Sequence, residues 1–328
     1  MVQVARRRFV VSAGALLASS FARAQPVARR VRIGVLIDGK EGVNDAVWQV
    51  FRARLKELGY VEGKNIVTET RYSQGLRERL PALASELVAL KPDVIVVGTT
   101  PATRAMMKAT TTIPIVMTSV GDPVRTGLVA SLARPGGNVT GQTSMAPEVG
   151  AKWIEILIEF APAARTIAFL GQPNNSVHSV MYQSVHTAAK LRGMSAKFMK
   201  ATTSDEVDRA FAAMVSGKFD GFVVPSSPVM LRHREKFAEL ALRHGLTAVY
   251  ARQEYVAAGG LVSYGPDRNA LFRGAADYLH FIVQGAKPAD LPVQQPSRFE
   301  LAVNAKTAKA LGLSIPSSIL LRASRVIE

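Results

Sequence analysis

Short runs of β-branched residues alternate along the chain with longer stretches whose apolar residues recur every three or four positions. Val31 to Ile37 reads as the first strand, and Val47, Val50, Phe51, Leu55 and Leu58 mark a helix over 46–58. Gly59 closes that helix, Ile66 to Arg71 forms a second strand, Leu76 to Leu90 a second helix, and Val94 to Val97 a third strand. The third strand runs into Gly98-Thr99-Thr100-Pro101, with proline where a helix begins. A fourth strand over 113–117, a short helix over 127–133 and an extended piece over 139–143 complete the first half. Strand and helix in strict alternation predict a doubly wound α/β unit with a parallel sheet.

The second half repeats the pattern. Helices over 147–160, 176–191, 204–216 and 230–244 alternate with strands over 166–170, 195–200, 221–224 and 247–250. Leu261 to Gly265 then crosses back, and a helix over 269–284 packs on the first unit through Leu271, Phe272, Ala275, Leu279, Ile282 and Val283. A strand over 299–303, a helix over 307–311 and Ile315-Pro316 cross once more. The expected fold is therefore α/β, two Rossmann-like lobes with parallel sheets joined by a multi-strand hinge. Residues 31–141 with about 264–290 form one lobe, and 142–263 with about 291–328 the other.

In open parallel sheets ligands sit beyond the carboxyl ends of the strands. Those ends are rich in small polar groups: Asp38 after the first strand, Thr99, Thr100, Ala102 and Thr103 after the third, and Asp122 after the fourth. In the second half they are Asn174, Ser176, Ser226 and Glu254. The turn from Thr99 to Thr103 combines free amides, the positive end of a helix dipole and hydroxyls, which makes an anion seat; the competing reading is a plain threonine N-cap. For Glu254, a helix start is as good an account as a cleft wall.

Composition narrows the function. The 328 residues are 48% hydrophobic and 20% charged, enough for two globular lobes, and contain no cysteine for a disulfide, a thiolate site or a lipid anchor. Arg6-Arg7-Arg8, the apolar Val10 to Ala18 and Ala22-Arg23-Ala24 have the form of a signal peptide over 1–24 cleaved before Gln25, with a likeness to twin-arginine signals. Its removal lowers the net charge from +16 to +12. The basic residues are dispersed among acids on helices, as at Arg52, Arg54, Lys56 and Arg232, Arg234, Lys236, which reads as solvated surface and not as a nucleic-acid footprint. There is no Gly-x-Ser-x-Gly elbow, Walker loop, His-Glu-x-x-His or Gly-x-Gly-x-x-Gly, and the five histidines are scattered, so neither catalysis nor a metal or other cofactor is expected.

Several segments carry a family resemblance. Leu58-Gly59-Tyr60-Val61-Glu62-Gly63-Lys64-Asn65, Val120-Gly121-Asp122-Pro123-Val124, Leu128 to Gly141, Ala257 to Gly265 and Lys306 to Leu313 resemble the ABC-transporter substrate-binding proteins of the family that includes tryptophan- and other aromatic-amino-acid-binding members. The resemblance spans residues 31 to 328 and implies the type I periplasmic binding protein fold, two lobes closing on a small solute. The family's Gly-Thr-x-Ala loop falls on Gly98, Thr99, Pro101 and Ala102 with Thr100 additional, and its Gly-Asp-Pro loop on Gly121-Asp122-Pro123. Gln172-Pro173 stands where many members have Asn-Pro, a departure at the ligand edge.

With an amino acid or related carboxylate as ligand, the turn at Thr99 to Thr103 would receive the carboxylate and Asp122 the ammonium, with Asn174, Ser176 and Ser226 closing from the other lobe. A capping carboxylate is the alternative for Asp122. The expected protein is a monomeric periplasmic receptor with a small-molecule ligand, an ABC permease as its membrane partner and no nucleic acid. The rival classes are a secreted α/β enzyme and a sensor-type receptor of the same fold.

Overall fold

The computed structural model describes residues 30–42, 45–144 and 149–328. The signal segment expected over 1–24 and the first positions of the helix expected over 147–160 lie outside the described residues.

The first sheet holds β1 (Val31–Ile37), β2 (Ile66–Tyr72), β3 (Val94–Val97), β4 (Ile115–Val120) and β5 (Val139–Thr143), in the order β2-β1-β3-β4-β5. Every pairing in it is parallel. Helices α1 (Asp45–Glu57), α2 (Leu80–Ala89) and α3 (Thr100–Ala109) connect its strands. All four residues of β3 are fully buried, as the unbroken apolar run requires of a central strand covered on both faces. Each such side chain contributes about 1.5–3 kcal/mol.

The second half adds α4 (Val149–Phe160), β6 (Thr166–Gly171), α5 (Ser176–Lys190), β7 (Ser195–Lys200), α6 (Ser204–Ser216) and β8 (Gly221–Val224). It continues through α7 (Pro228–Leu231), α8 (Arg234–Arg243), β9 (Thr247–Tyr250), α9 (Gln253–Ala257), β10 (Val262–Pro266) and α10 (Arg268–Val283). The chain ends in β11 (Phe299–Asn304), α11 (Ala305–Ala310), α12 (Ser317–Arg322) and β12 (Arg325–Ile327). The second sheet runs β12-β11-β10-β9-β8-β6-β7. Its core, β7-β6-β8-β9-β10, repeats the strand order of the first sheet, and β11 joins it antiparallel to β10. Each lobe thus reverses direction once, between β1 and β3 in one and between β6 and β8 in the other.

The chain threads the lobes more than once. After β10 closes on the second sheet, α10 returns to the first, where Phe272 meets Trp48 edge to face at 5.0 Å and joins a core with β1, β3 and α1. Gln294 then pairs with Gln142 at the end of β5 before β11 re-enters the second sheet. Gly141, at φ +121° with the Met117 carbonyl 2.3 Å from where a Cβ would stand, lets β5 lie against β4 at this crossing.

Four local features differ from the expectations. The helix expected over 127–133 is a series of turns: Gly127 is left-handed at φ +70°, and the Ser131 hydroxyl binds both the amide and the carbonyl of Arg134. The helix expected over 230–244 breaks at His233, where the Arg232 and Arg234 guanidiniums take the Val229 and Leu231 carbonyls. Pro114 lacks an amide to donate, so β4 starts two residues later than expected, at Ile115, and runs to Val120. Past Pro316 the tail forms α12 and β12, the latter paired parallel to β11.

Candidate functional site

The reversal points of both sheets face each other, and the polar loops meet there. In the first lobe Asp38 leaves the end of β1 with its side chain fully buried, accepting from the Ser73 hydroxyl at 3.2 Å and the Thr99 hydroxyl at 3.4 Å. The same carboxylate lies 3.4 Å from Nε of Arg77, on the loop before α2, and so aims that guanidinium across the cleft. Arg77 Nη2 donates to Oε1 of Gln172 in the second lobe at 3.0 Å, and Gln172 also accepts from the Ser227 hydroxyl at 2.7 Å. The residue at which this chain departs from the Asn-Pro pattern is thus the one that Arg77 grips.

Behind Gln172 sits His178, fully buried in the first turns of α5. The Gln172 amide donates to its Nδ1 at 2.9 Å, which puts the imidazole proton on Nε2, 3.4 Å from the Ser226 carbonyl. One neutral ring therefore ties the loop after β6 to the loop after β8. Burial pushes its pKa down to about 3, with the Arg77 charge acting in the same direction and the Ser226 bond opposing. Protonation would also turn Nδ1 into a donor facing the Gln172 amide.

Two more arginines enter the cleft. Arg252 follows β9 and is almost wholly buried, and Arg268 opens α10, its guanidinium 5.4 Å from the Phe272 ring centre. Glu254 bridges them, with Oε2 3.3 Å from Arg252 Nε and Oε1 3.5 Å from Arg268 Nη1. Burial raises the Glu254 carboxyl, but the two guanidiniums overcome it and hold it at about 2. Burial and the neighbouring Arg252 depress Arg268, which Glu254 only partly restores. Beneath Arg252 lie Tyr250 and Tyr255, stacked at 4.8 Å in the core of the second lobe, so Tyr255 does not reach the cleft.

The space between the lobes is bounded by Arg77, Gly98 to Pro101, Ser119, Gly121 and Ser144 on one side. Asn175, Val177, Met181, Ser226, Pro228 and Arg252 bound the other, with Arg268 at the start of α10 beside them. Its volume of about 60 Å³, with Val177 Cγ1 only 2.4 Å from where a Gly121 Cβ would stand, describes lobes drawn together.

Of the residues selected from sequence, Thr99, Thr100 and Ser226 line this space, and Asp38 supports it from beneath. Asn174 and Ser176 line an outer cavity of about 220 Å³ that shares Arg77, Thr100 and Asn175 with it. Glu254 lines a smaller one, about 40 Å³, that shares Arg252 and Arg268. Ala102 lies in the core, and the Thr103 hydroxyl donates to the Thr99 carbonyl at 2.8 Å. Asp122 faces its own turn: Oδ1 accepts from the Arg125 amide at 3.0 Å and Oδ2 lies 3.9 Å from the Arg125 guanidinium.

The threonine turn is also reduced as an anion seat. Thr99 accepts from the Ala102 amide at 3.4 Å, the Thr103 amide bonds the Thr99 carbonyl at 2.9 Å, and Pro101 has none to give. The charged side chains that line this cleft among the described residues are Arg77, Arg252 and Arg268, which the reading of arginines as solvated surface passed over. For Arg252 a signal was its position, two residues past the carboxyl end of β9.

A family model described as ABC transporter substrate binding protein matches residues 31–327. The chain belongs to that family. A curated relative of this binding protein is a tyrosine-binding protein of Clostridioides difficile strain R20291, 30% identical over 263 residues that cover 80% of this chain and 75% of that one. Among solved structures it is similar to a Streptococcus pneumoniae ABC domain in complex with L-Trp, at 26% identity and TM-score 0.85, covering 91% of this chain and all of that one. A ligand-free, open substrate-binding protein with adhesive properties from Clostridium difficile gives 28% identity, 90% and 99% coverage and a TM-score of 0.69. The binding protein is thus closer in shape to the ligand-bound relative than to the open one, as its narrow cleft requires. Two facing α/β lobes of the type I periplasmic binding fold are present, and family and neighbours are binding proteins, not enzymes. Among the described residues no helix is long and apolar enough to cross a membrane, and no group of three His, Cys, Asp or Glu is arranged to hold a metal.

Proposed function

We propose that this substrate-binding protein closes its lobes on a small solute bearing a carboxylate, an amino acid or a related acid, and presents it to an ABC permease in the inner membrane. It works in the periplasm as a non-catalytic monomer, delivered there by the signal segment over 1–24, with no nucleic-acid partner. The observation that carries this reading is the cleft at the two reversal points, where Arg77, Arg252 and Arg268 converge from both lobes on a space also lined by Thr99, Thr100 and Ser226. Guanidiniums present paired donors that match a carboxylate, and closure excludes the water that would compete. The tyrosine-binding and L-Trp-bound relatives support the ligand class. Lobe boundaries at 31–141 with about 264–290, and 142–263 with about 291–328, give three crossings between the lobes, as a hinge needs.

Isothermal titration of the purified mature chain with amino acids and organic acids, paired with small-angle scattering, tests the proposal. The expected outcome is one-to-one saturable binding that contracts the radius of gyration and leaves the ligand chemically unchanged. No binding across the panel refutes the carboxylate reading, and conversion of the ligand refutes the non-catalytic one.

A further inference from the structure

We infer that Arg77 and Gln172 form a latch between the lobes, whose strength sets the affinity for every solute by the same factor and does not choose among them. The inference rests on the reading that the lobes close on a solute, and it names the pair that governs how readily they stay closed.

Each half of the pair is set in place by its own lobe. In the first, the buried carboxylate of Asp38 is held by the Ser73 and Thr99 hydroxyls and lies 3.4 Å from Nε of Arg77. It steadies the guanidinium from behind and leaves Nη2 to donate to Oε1 of Gln172 at 3.0 Å. In the second lobe Gln172 is 4% exposed and tied at two points. Its backbone amide donates to His178 Nδ1 at 2.9 Å, and its side-chain oxygen accepts from the Ser227 hydroxyl at 2.7 Å. Ser227 is itself fixed, because it caps α7 by accepting from the Met230 amide. An acceptor ordered in advance loses little freedom when the donor arrives. Arg77 and Ser227 together use both acceptor positions of that oxygen, and Gln172 does not border the space between the lobes. It therefore acts on a solute only through Arg77 and through closure.

The bond lies within a seam of contacts. Two residues before Arg77, Gly75 is left-handed at φ +82°, and Nη1 of Arg232 from the second lobe stands 2.5 Å from where its Cβ would be. Gly39 meets Pro228 across the same seam, at 3.8 Å from its Cβ position. The loops after β1 and β2 thus rest on the loops after β6 and β8, and the guanidinium of Arg77 adds a charge-assisted bond there. Side-chain length matters to it. Asparagine, which many members of the family carry at this position, would hold its oxygen one methylene short of Arg77. A bond made only when the lobes meet shifts the open–closed equilibrium and leaves the fit of each ligand to the cleft unchanged.

Three substitutions in the mature full chain separate reach, packing and hydrogen bonding. Gln172→Asn keeps the amide and shortens the arm, Gln172→Met keeps the length and removes the acceptor, and Gln172→Glu keeps both length and acceptor. L-Tyrosine, L-tryptophan, L-leucine and benzoate serve as probes, with Kd from calorimetry and rates from stopped flow. In Gln172→Asn and Gln172→Met, Kd should rise about fivefold to tenfold, by one common factor for all probes that bind the wild type and mainly through faster dissociation. Gln172→Glu should bind at least as tightly as the wild type. Wild-type affinity in Gln172→Met, or Gln172→Glu as weak as Gln172→Met, overturns the inference, and so does a factor that differs between probes by more than about threefold. Small-angle scattering on protein unfolded and refolded to free it of carried solute gives a readout that needs no probe. Gln172→Met should have a larger radius of gyration than the wild type, and equal radii overturn the latch. If no probe binds the wild type, the reading of the cleft as an amino-acid or carboxylate site fails, and scattering alone decides the latch.

Discussion

His178 makes the stability of the second lobe depend on pH in a range where most carboxylates stay ionised. The folded protein keeps its ring neutral down to about pH 3, whereas in the unfolded chain it takes a proton near 6.5. Between these values the unfolded state holds more protons, so stability falls as pH falls, by about 1.4 kcal/mol per unit. From neutrality to pH 5 the loss is about 2 kcal/mol, a large part of a domain's net stability. Burial also lowers His233 and adds in the same direction, so the wild type alone cannot apportion the effect. His178→Asn can, because its side-chain oxygen occupies roughly the place of Nδ1 and still accepts from the Gln172 amide, without titrating. Urea unfolding followed at intervals from pH 7 to 5 should give a steeper decline in wild type than in His178→Asn, with the gap between their slopes near 1.4 kcal/mol per unit below pH 6.5. The variant's absolute stability will be lower through lost packing, which leaves the slopes intact. Parallel slopes would refute the assignment of a neutral, doubly bonded ring at this position.

Gly121→Ala should hold the lobes apart, since its Cβ would stand 2.4 Å from Val177 Cγ1 across the cleft; ligand affinity falls about tenfold or more and scattering shows a larger radius of gyration. Adding Val177→Ala should restore both, because only the Val177 Cβ, at 3.4 Å, then faces the new methyl group. Gly141→Ala meets the Met117 backbone carbonyl at 2.3 Å in a left-handed conformation, with no flexible neighbour to yield. It should cost about 3 kcal/mol or more in chemical unfolding, and a loss under about 1 kcal/mol would mean that β5 can slide away from β4.

Much of the scaffold can be read from the alternation of apolar runs, because central parallel strands need unbroken hydrophobic stretches and crossover helices need a one-sided stripe. β1, β3 and β7 through β9 therefore stand where the pattern puts them. Side-chain competition for backbone groups is invisible to periodicity, and it is what unwinds residues 127–133 and breaks the helix at His233. At the site, Thr99 and Ser226 were reachable from strand ends, whereas Arg77, Gln172 and Arg268 come together only through the approach of two lobes. The anion seat at Thr99 to Thr103 illustrates the limit: a turn with that composition has amides to offer only if its own cap leaves them free, and here Thr99 takes the Ala102 amide.

The return of α10 to the first lobe has a consequence for biosynthesis. Phe272, Ala275, Ala276, Leu279 and Ile282 cover a face made by β1, β3, β4 and α1, all of which leave the ribosome long before residue 268. Through the making of the whole second wound unit that face has no native cover, and a half-built sheet with an open apolar side is prone to stick to its neighbours. The first lobe therefore cannot finish folding as a unit ahead of the second. A chain of this design keeps that apolar face without its native cover until most of its length has been made.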